Sequence, residues 1–377
     1  MDQERALLQD LSHYATFASA AYGWKLEFAL RGKLHGRDDL TMLLTRTGVA
    51  AEDVVQVQWE SEQIRPAYFI ARDHNRSAIV LSVRGTFSID DLLTDLCATP
   101  ENFHPTSSSS SSSRSKSPRS KKKKPMLQQV QKAISNLSDE VQDTLHSRKL
   151  SGHLGMLEAA QSLRDEVESV LEEEIEAHPG YSLVLVGHSL GAGVAALLGT
   201  LMERTFPRLV VYAYGPPCVA PSHAKLHKNI ISVVAEGDPF RCLSLGHIAG
   251  MSEAIAEICE DGDLRAEILR RGRKLTMEDD NPNIPWCLAT LADLRNRMKA
   301  EKLYPPGRIL FMAPTSTPRQ RFLRLPSFGQ QQQQQQLSLR EVSPHFFQDF
   351  FVPTVFDLTN HSPAAYEASL ERLVAQS

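Results

Sequence analysis

The segment that most constrains the fold of this chain spans residues 183–193 and reads LVLVGHSLGAG. Its four apolar residues predict a short buried strand, and the small residues after them predict a helix. Between the two, residues 187–191 fit the pattern Gly-x-Ser-x-Gly. A strand that turns sharply into a helix needs small flanking residues, and Gly187 and Gly191 supply them. We therefore expect Ser189 at the apex of a strained turn, as in a nucleophile elbow.

The composition limits the class of protein. The chain has 377 residues, 42% of them apolar, which is enough for one large α/β domain with insertions. A net charge of -4 argues against general nucleic-acid binding. Five cysteines without CxxC spacing favour a reducing compartment. No His/Cys/Asp cluster has ligand spacing and no motif supports calcium, so we expect no metal or cofactor.

Two signals bear on location. The first ten residues hold no apolar run of the kind a signal peptide requires, and no window approaches the roughly 18–20 apolar residues that span a bilayer. We therefore expect a cytoplasmic protein, free or peripherally bound to a membrane.

Strand and helix patterns alternate along the chain. Apolar runs predict strands at 68–72, 78–83, 183–186, 209–214, 230–235 and 308–312, and helical patterns cover 155–178, 190–206, 251–271, 286–303 and 362–374. Continuous apolar strands alternating with helices predict a mostly parallel sheet covered by helices on both faces. We treat residues 1–377 as one domain with three insertions: a disordered Ser/Lys-rich segment at 105–125, a helical cap at 243–303 and a disordered Gln-rich segment at 327–338.

A serine nucleophile needs a base, and the base needs a carboxylate to orient it. On an α/β-hydrolase scaffold these follow the serine in the order acid, then histidine. Asp238 comes directly after the predicted strand 230–235, which makes it the first candidate for the acid, with Glu236 as the alternative.

For the base, His361 precedes the last predicted helix and is the last histidine of the chain. His345 is the alternative. His247 would break the chain order, and His188 is expected to pack within the turn or shape it.

An oxyanion hole needs N–H donors fixed before the reaction. We expect one from Leu190, the residue after the nucleophile. The second is expected from Thr86, because Gly85-Thr86 ends the predicted strand 78–83 and the glycine allows close backbone approach.

Together these residues resemble the class 3 lipase family, and within it the sn-1-specific diacylglycerol lipases. The matching segments are YATFASAAYGW (14–24), AIVLSVRGTFS (78–88), GHLGM (152–156), GHSLGAG (187–193), YAYGPP (212–217), GDPFR (237–241), LYPPGR (303–308) and HSP (361–363). This resemblance implies an α/β-hydrolase fold and hydrolysis of a fatty acyl ester through Ser189, Asp238 and His361. It implies diacylglycerol as the substrate, with a triacylglycerol lipase or a phospholipase A1 as alternatives of the same fold. A catalytically idle, membrane-binding scaffold is the alternative of another class.

A lipid substrate requires contact with a membrane or droplet. Residues Arg114–Lys124 hold seven Lys or Arg, which anionic membranes attract. A second candidate is the aromatic cluster formed by Phe346-Phe347 and Phe350-Phe351, a lid edge or pocket wall that core packing would explain equally well.

Overall fold

One sheet organises the protein. The structure, a computed structural model, describes residues 2–23, 38–62, 65–85, 154–224, 226–242, 244–273, 281–300, 302–315, 336–347 and 358–377. Its strands lie side by side in chain order: β1 (Val54–Gln58), β2 (Tyr68–Asp73), β3 (Ala78–Val83), β4 (Ser182–His188), β5 (Val210–Tyr214), β6 (Ile230–Ala235), β7 (Arg308–Pro314) and β8 (Leu337–Val342).

The pairing divides the sheet into a parallel centre and antiparallel edges. β3 to β7 pair in parallel, whereas β1, β2 and β8 pair antiparallel with their neighbours. β3 is buried at every position, as expected for a strand with helices on both faces. The predicted mostly parallel sheet is therefore confirmed.

Helices cover both faces of the sheet. The described helices are α1 (Asp2–Ala20), α2 (Asp39–Thr47), α3 (Leu154–Ala177), α4 (Leu190–Leu201), α5 (Leu245–Glu260), α6 (Gly262–Gly272), α7 (Asn283–Arg297) and α8 (Pro363–Gln376). On one face, α3 and α4 pack on alternate side chains of the strands, including Leu81 and Leu185. On the other face, α1 and α8 pack on the intervening side chains, including Val80 and Val186. Within the described residues, no helix is long and apolar enough to cross a membrane.

Several boundaries differ from the sequence prediction. The helical pattern 251–271 is two helices, because Asp261 ends α5 and its carboxylate accepts hydrogen bonds from the first N–H groups of α6. α4 ends at Leu201, before the predicted 206. β1, α2 and β8 were not predicted, because each is short and β1 and β8 lie at the edges of the sheet.

The predicted insertions have different outcomes. The Ser/Lys-rich segment 105–125 lies outside the described residues, as does 327–335 of the Gln-rich segment. The predicted end of the Gln-rich segment, at residue 338, was wrong. Leu337 and Ser338 begin β8, where they pair with Pro314 and Ala313 of β7. Leu337 also packs on the apolar core, and this burial stabilises the strand. The glutamine-rich residues before it gave no strand pattern from which β8 could be predicted. The predicted cap region contains α5, α6 and α7.

Candidate active site

Ser189 occupies the turn between β4 and α4 in a strained backbone conformation. Its φ of 57° and ψ of -129° lie in a region that residues with a side chain rarely adopt. The turn is also crowded, because a Cβ on Gly187 would overlap the Gly191 carbonyl and a Cβ on Gly191 would overlap the Val83 carbonyl. Glycine at both positions therefore allows the close approach that holds the serine at the apex, as the sequence predicted.

Three side chains that are far apart in sequence form one hydrogen-bonded chain. His361 Nε2 lies 2.8 Å from Ser189 Oγ, and His361 Nδ1 lies 2.8 Å from Asp238 Oδ2. Ser189 is at the end of β4, and Asp238 follows β6, two strands away in the sheet. A histidine held between a hydroxyl and a carboxylate is the arrangement that deprotonates the hydroxyl during nucleophilic attack.

Asp238 is fully buried and every one of its near partners donates to it. Oδ2 accepts hydrogen bonds from His361 Nδ1 and from the Tyr366 hydroxyl (2.6 Å), and Oδ1 accepts one from the Phe240 N–H (2.9 Å). Burial alone would raise the pKa of Asp238. The charge and hydrogen bond of His361, with the bonds from Tyr366 and Phe240, outweigh burial and hold this pKa below its ordinary value. The carboxylate is therefore ionised at neutral pH.

The position of His361 depends on the start of α8. A short 3₁₀ turn, Leu358–His361, leads into the helix, and the Ser362 hydroxyl caps it by accepting from the Ala365 N–H. The Phe240 ring packs against the imidazole with centroids 4.3 Å apart. His361 is 8% exposed, so its imidazole is largely shielded from water.

His188 does not face the serine. Its Nε2 lies 2.6 Å from the backbone carbonyl of His361, and its Nδ1 lies 2.9 Å from the Tyr22 hydroxyl. Burial, followed by the charge of His361, lowers the pKa of His188 to about 3. The elbow histidine is therefore neutral near neutral pH, and its ring is buried beside Tyr22 and His361.

The structure describes one of the two predicted oxyanion donors, Leu190, but not the other. Leu190 is the first residue of α4, where N–H groups have no partner within the helix. Thr86 lies outside the described residues. Its neighbour Gly85 lies beside the elbow: a Cβ there would be 2.6 Å from the His188 carbonyl and 3.2 Å from the Ser189 Cβ.

The other histidines considered for the base make contacts outside the hydrogen-bonded chain of Ser189, His361 and Asp238. The imidazole of His361 bonds to Asp238. His345 packs edge-on against the Tyr304 ring. His247 bonds to the Ser244 hydroxyl and to the Phe347 carbonyl. Within the described part of the chain, no three His, Cys, Asp or Glu side chains are grouped so that they could hold a metal ion.

The sequence prediction missed Tyr22 and Tyr366. Both contact the site, through His188 and Asp238 respectively. Each lies in a segment with a helical apolar pattern, where a tyrosine is most simply interpreted as a core residue. Nothing in their spacing relates them to Ser189.

A mostly parallel sheet, with a strained serine turn after one of its central strands and with the acid and then the histidine later in the chain, is the arrangement of the α/β-hydrolase fold. The predicted fold class is therefore confirmed.

Comparison with known proteins narrows this class. The model of the family described as Lipase (class 3) matches residues 80–240. Diacylglycerol lipase-beta of Mus musculus is 27% identical over 238 residues, which are 56% of this chain and 30% of that protein. Diacylglycerol lipase-alpha of Mus musculus is 25% identical over 283 residues, which are 70% of this chain and 24% of that protein. Secreted mono- and diacylglycerol lipase A of Penicillium cyclopium is 31% identical over 176 residues, 46% of this chain and 43% of that protein.

These findings confirm the resemblance to the class 3 lipase family and to its diacylglycerol lipases. The chain spans less than a third of the length of the two mouse proteins.

Proposed function

We propose that this protein is a serine lipase that hydrolyses a fatty acyl ester, with diacylglycerol as its substrate and a monoacylglycerol and a fatty acid as products. The observation that carries the proposal is the hydrogen-bonded chain from Ser189 through His361 to Asp238, at 2.8 Å for each contact. The similarity to diacylglycerol lipases supports the choice of diacylglycerol.

The first half of the reaction forms an acyl-enzyme. Ser189 Oγ attacks the ester carbonyl while His361 Nε2 takes the hydroxyl proton. Asp238 holds the Nδ1–H of the imidazole and stabilises the positive charge that the ring gains. The tetrahedral intermediate then collapses, and His361 returns the proton to the leaving alcohol oxygen, which releases the monoacylglycerol.

The second half repeats these roles with water in place of Ser189. His361 deprotonates a water molecule, which attacks the acyl carbonyl, and His361 then returns the proton to Ser189 Oγ as the ester bond breaks and the fatty acid leaves. In both halves the carbonyl oxygen becomes negative, and we assign its stabilisation to the Leu190 N–H and to Thr86. The location of Gly85 against Ser189 supports this assignment, since Thr86 is the next residue.

The enzyme must reach its substrate at a lipid surface, and exposed apolar side chains support such a contact. Ile255 on α5, Leu269 on α6 and Leu288 on α7 are 45%, 56% and 47% exposed. Phe346 is also exposed, with the Arg340 guanidinium 5.0 Å from its ring centroid. We assign these exposed side chains to peripheral contact with lipid and the helical cap 243–303 to gating of the site. The basic segment Arg114–Lys124 lies outside the described residues, and its attraction to anionic lipid remains part of this proposal.

A fluorophosphonate probe tests the proposed nucleophile. The wild-type protein should be labelled at Ser189, and Ser189→Ala should abolish labelling and ester hydrolysis. Ser182→Ala, at the opposite end of β4, is the matched control and should be labelled as the wild type is. Folded wild-type protein that resists the probe would support the idle scaffold and contradict the lipase.

A lipid panel tests the substrate class. Initial rates on diacylglycerol, triacylglycerol and phosphatidylcholine, in the same mixed micelles, should be highest on diacylglycerol. A higher rate on either other lipid would replace diacylglycerol as the substrate while leaving the nucleophile assignment intact.

A further inference from the structure

A buried chain of hydrogen bonds lies next to the triad and ends at the backbone carbonyl of His361. The Gly85 N–H donates to the Tyr22 oxygen. The Tyr22 hydroxyl lies 2.9 Å from His188 Nδ1, and His188 Nε2 lies 2.6 Å from the His361 carbonyl. Tyr22 is 4% exposed and His188 is 2% exposed, so water does not compete for these bonds.

The chemistry of the two ends determines the direction of every bond. The His361 carbonyl only accepts, so His188 Nε2 carries the proton that it donates. Because the ring is neutral, His188 Nδ1 then has a lone pair and accepts from the Tyr22 hydroxyl. The tyrosine oxygen in turn accepts from Gly85. The Tyr22 hydroxyl has a second, longer contact at 3.5 Å, to the His188 carbonyl. The His361 carbonyl and the Tyr22 hydroxyl therefore both favour the tautomer of His188 that carries its proton on Nε2.

The four residues come from four different parts of the fold. Tyr22 follows α1, Gly85 follows β3 on the way to Thr86, His188 ends β4, and His361 precedes α8. One end of the chain thus fixes the backbone that leads to the proposed oxyanion donor, and the other end fixes the backbone of the proposed base. The ring of His188 also packs against that of His361, with centroids 4.9 Å apart.

We propose that Tyr22 and His188 are positioning residues, an inference that rests on the proposed function. They hold the end of β3 that leads to Thr86, and the backbone of His361, in the correct positions relative to Ser189. Without the Tyr22 hydroxyl, the buried Nδ1 lone pair of His188 loses its donor. The ring then shifts to find another donor, which weakens the bond from its Nε2–H to the His361 carbonyl. The imidazole of His361 then samples positions from which Nε2 no longer reaches Ser189 Oγ, and the reaction slows without a change in substrate binding.

The test compares Tyr22→Phe, His188→Phe and His188→Gln on a water-soluble short-chain ester. Tyr22→Phe should lower kcat about 10-fold and His188→Phe about 100-fold, with KM within about two-fold of wild type, since one misplaced group costs rates of this order. His188→Gln should recover part of the loss, because the glutamine amide reaches the position of Nε2 and can donate to the His361 carbonyl. Tyr14→Phe, a buried tyrosine on α1, is the control and should keep wild-type kcat.

The unfolding midpoint and the rate of fluorophosphonate labelling separate the outcomes. Labelling should slow by the same factor as kcat in variants whose unfolding midpoint matches that of wild type. Wild-type kcat in both Tyr22→Phe and His188→Phe would overturn the positioning role, as would a loss of kcat in Tyr14→Phe equal to that in Tyr22→Phe. If wild type itself is not labelled, the proposed function fails; if it is labelled and these variants match it, only the positioning role fails.

Discussion

At the scale of single residues, the carboxylate of Asp238 is the most constrained group of the site. Its two oxygens accept from a ring N–H, a tyrosine hydroxyl and a backbone N–H, all in the protein interior. Tyr366 is itself fixed, since its oxygen accepts from the Ala235 N–H at the end of β6. These bonds keep the charge of the carboxylate and also its direction, and the direction determines which nitrogen of His361 carries the proton.

Asp238→Asn tests this at the residue scale. An asparagine has nearly the same shape, but its amide can donate to His361 Nδ1, which stabilises the tautomer with its proton on Nε2. That nitrogen then cannot accept the Ser189 proton, and kcat should fall about 10³- to 10⁴-fold with little change in KM. Asp293→Asn, on the exposed side of α7, should keep wild-type kcat. Wild-type kcat in Asp238→Asn would remove Asp238 from the proposed mechanism.

At the scale of elements, the helices α5, α6 and α7 differ from the rest of the fold. Their buried apolar residues are few, Ala254 and Leu294 among them, whereas β3 and β4 are buried almost throughout. An exposed ion pair between Arg297 of α7 and Glu257 of α5 connects two of these helices instead, and Arg297 also pairs with Asp293 on its own helix. Such pairs each contribute little to stability. We therefore expect this region to open at a lower free energy than the sheet, as a gating cap requires.

Substituting the exposed apolar residues of the cap tests its proposed contact with lipid. The triple variant Ile255→Ser, Leu269→Ser and Leu288→Ser should lose about ten-fold or more of its activity on vesicles that contain diacylglycerol. Full burial of a large apolar side chain contributes roughly 1.5–3 kcal/mol, and about half of each of these side chains is exposed. Its activity on a monomeric ester should stay within about two-fold of wild type. The matched control Leu40→Ser and Val57→Ser changes exposed apolar residues elsewhere. Equal vesicle activity in the triple variant and the control would contradict the contact.

At the scale of the whole molecule, the sheet brings the chemistry to one edge. Gly85, Ser189 and Asp238 all follow the carboxyl ends of parallel strands, β3, β4 and β6. α1 and α8 pack together on one face of this sheet and supply Tyr22 and His361 from near their ends. Building this edge requires the protein to bury histidines, and burial makes its stability depend on pH.

Two buried histidines predict a loss of stability in mild acid. Burial, as the largest cause, lowers the pKa of His188 to about 3 and that of His247 to about 4. In the unfolded chain both titrate near 6.5, so as pH falls below about 6.5 the unfolded state takes up protons that the folded state does not. The free energy of unfolding should fall between pH 7.5 and pH 5 by about 2 kcal/mol for each such histidine.

Urea unfolding at the two pH values measures this effect. His247→Gln should be less stable than wild type at pH 7.5, because the bonds to Ser244 and Phe347 change, and should lose less stability on moving to pH 5. The control His74→Gln, at an exposed side chain, should lose as much as wild type. Identical losses in wild type and His247→Gln would contradict the linkage.

Where a local pattern suffices, prediction from the sequence worked well. The apolar run 230–235 is β6 with the same bounds, and it placed Asp238 directly after the strand. The break at Asp261 and the strand β8 were missed, because a helix cap and an edge strand depend on one or two residues and on a partner. Tyr22 and Tyr366 were missed for a related reason: their partners are 166 and 128 residues away in the chain.

The sequence by itself determined the strand–turn–helix around Ser189, the order of the serine, the acid and the histidine, and the resemblance to class 3 lipases. These follow from short-range sterics and periodicity, since the glycines beside Ser189 permit a turn that other residues would block. Only the tertiary structure decided which acid meets His361, which tautomer His188 adopts and how Tyr22 and Tyr366 support the site. Those are hydrogen bonds between groups far apart in the chain, and packing of the helices on the sheet creates the distances on which they depend.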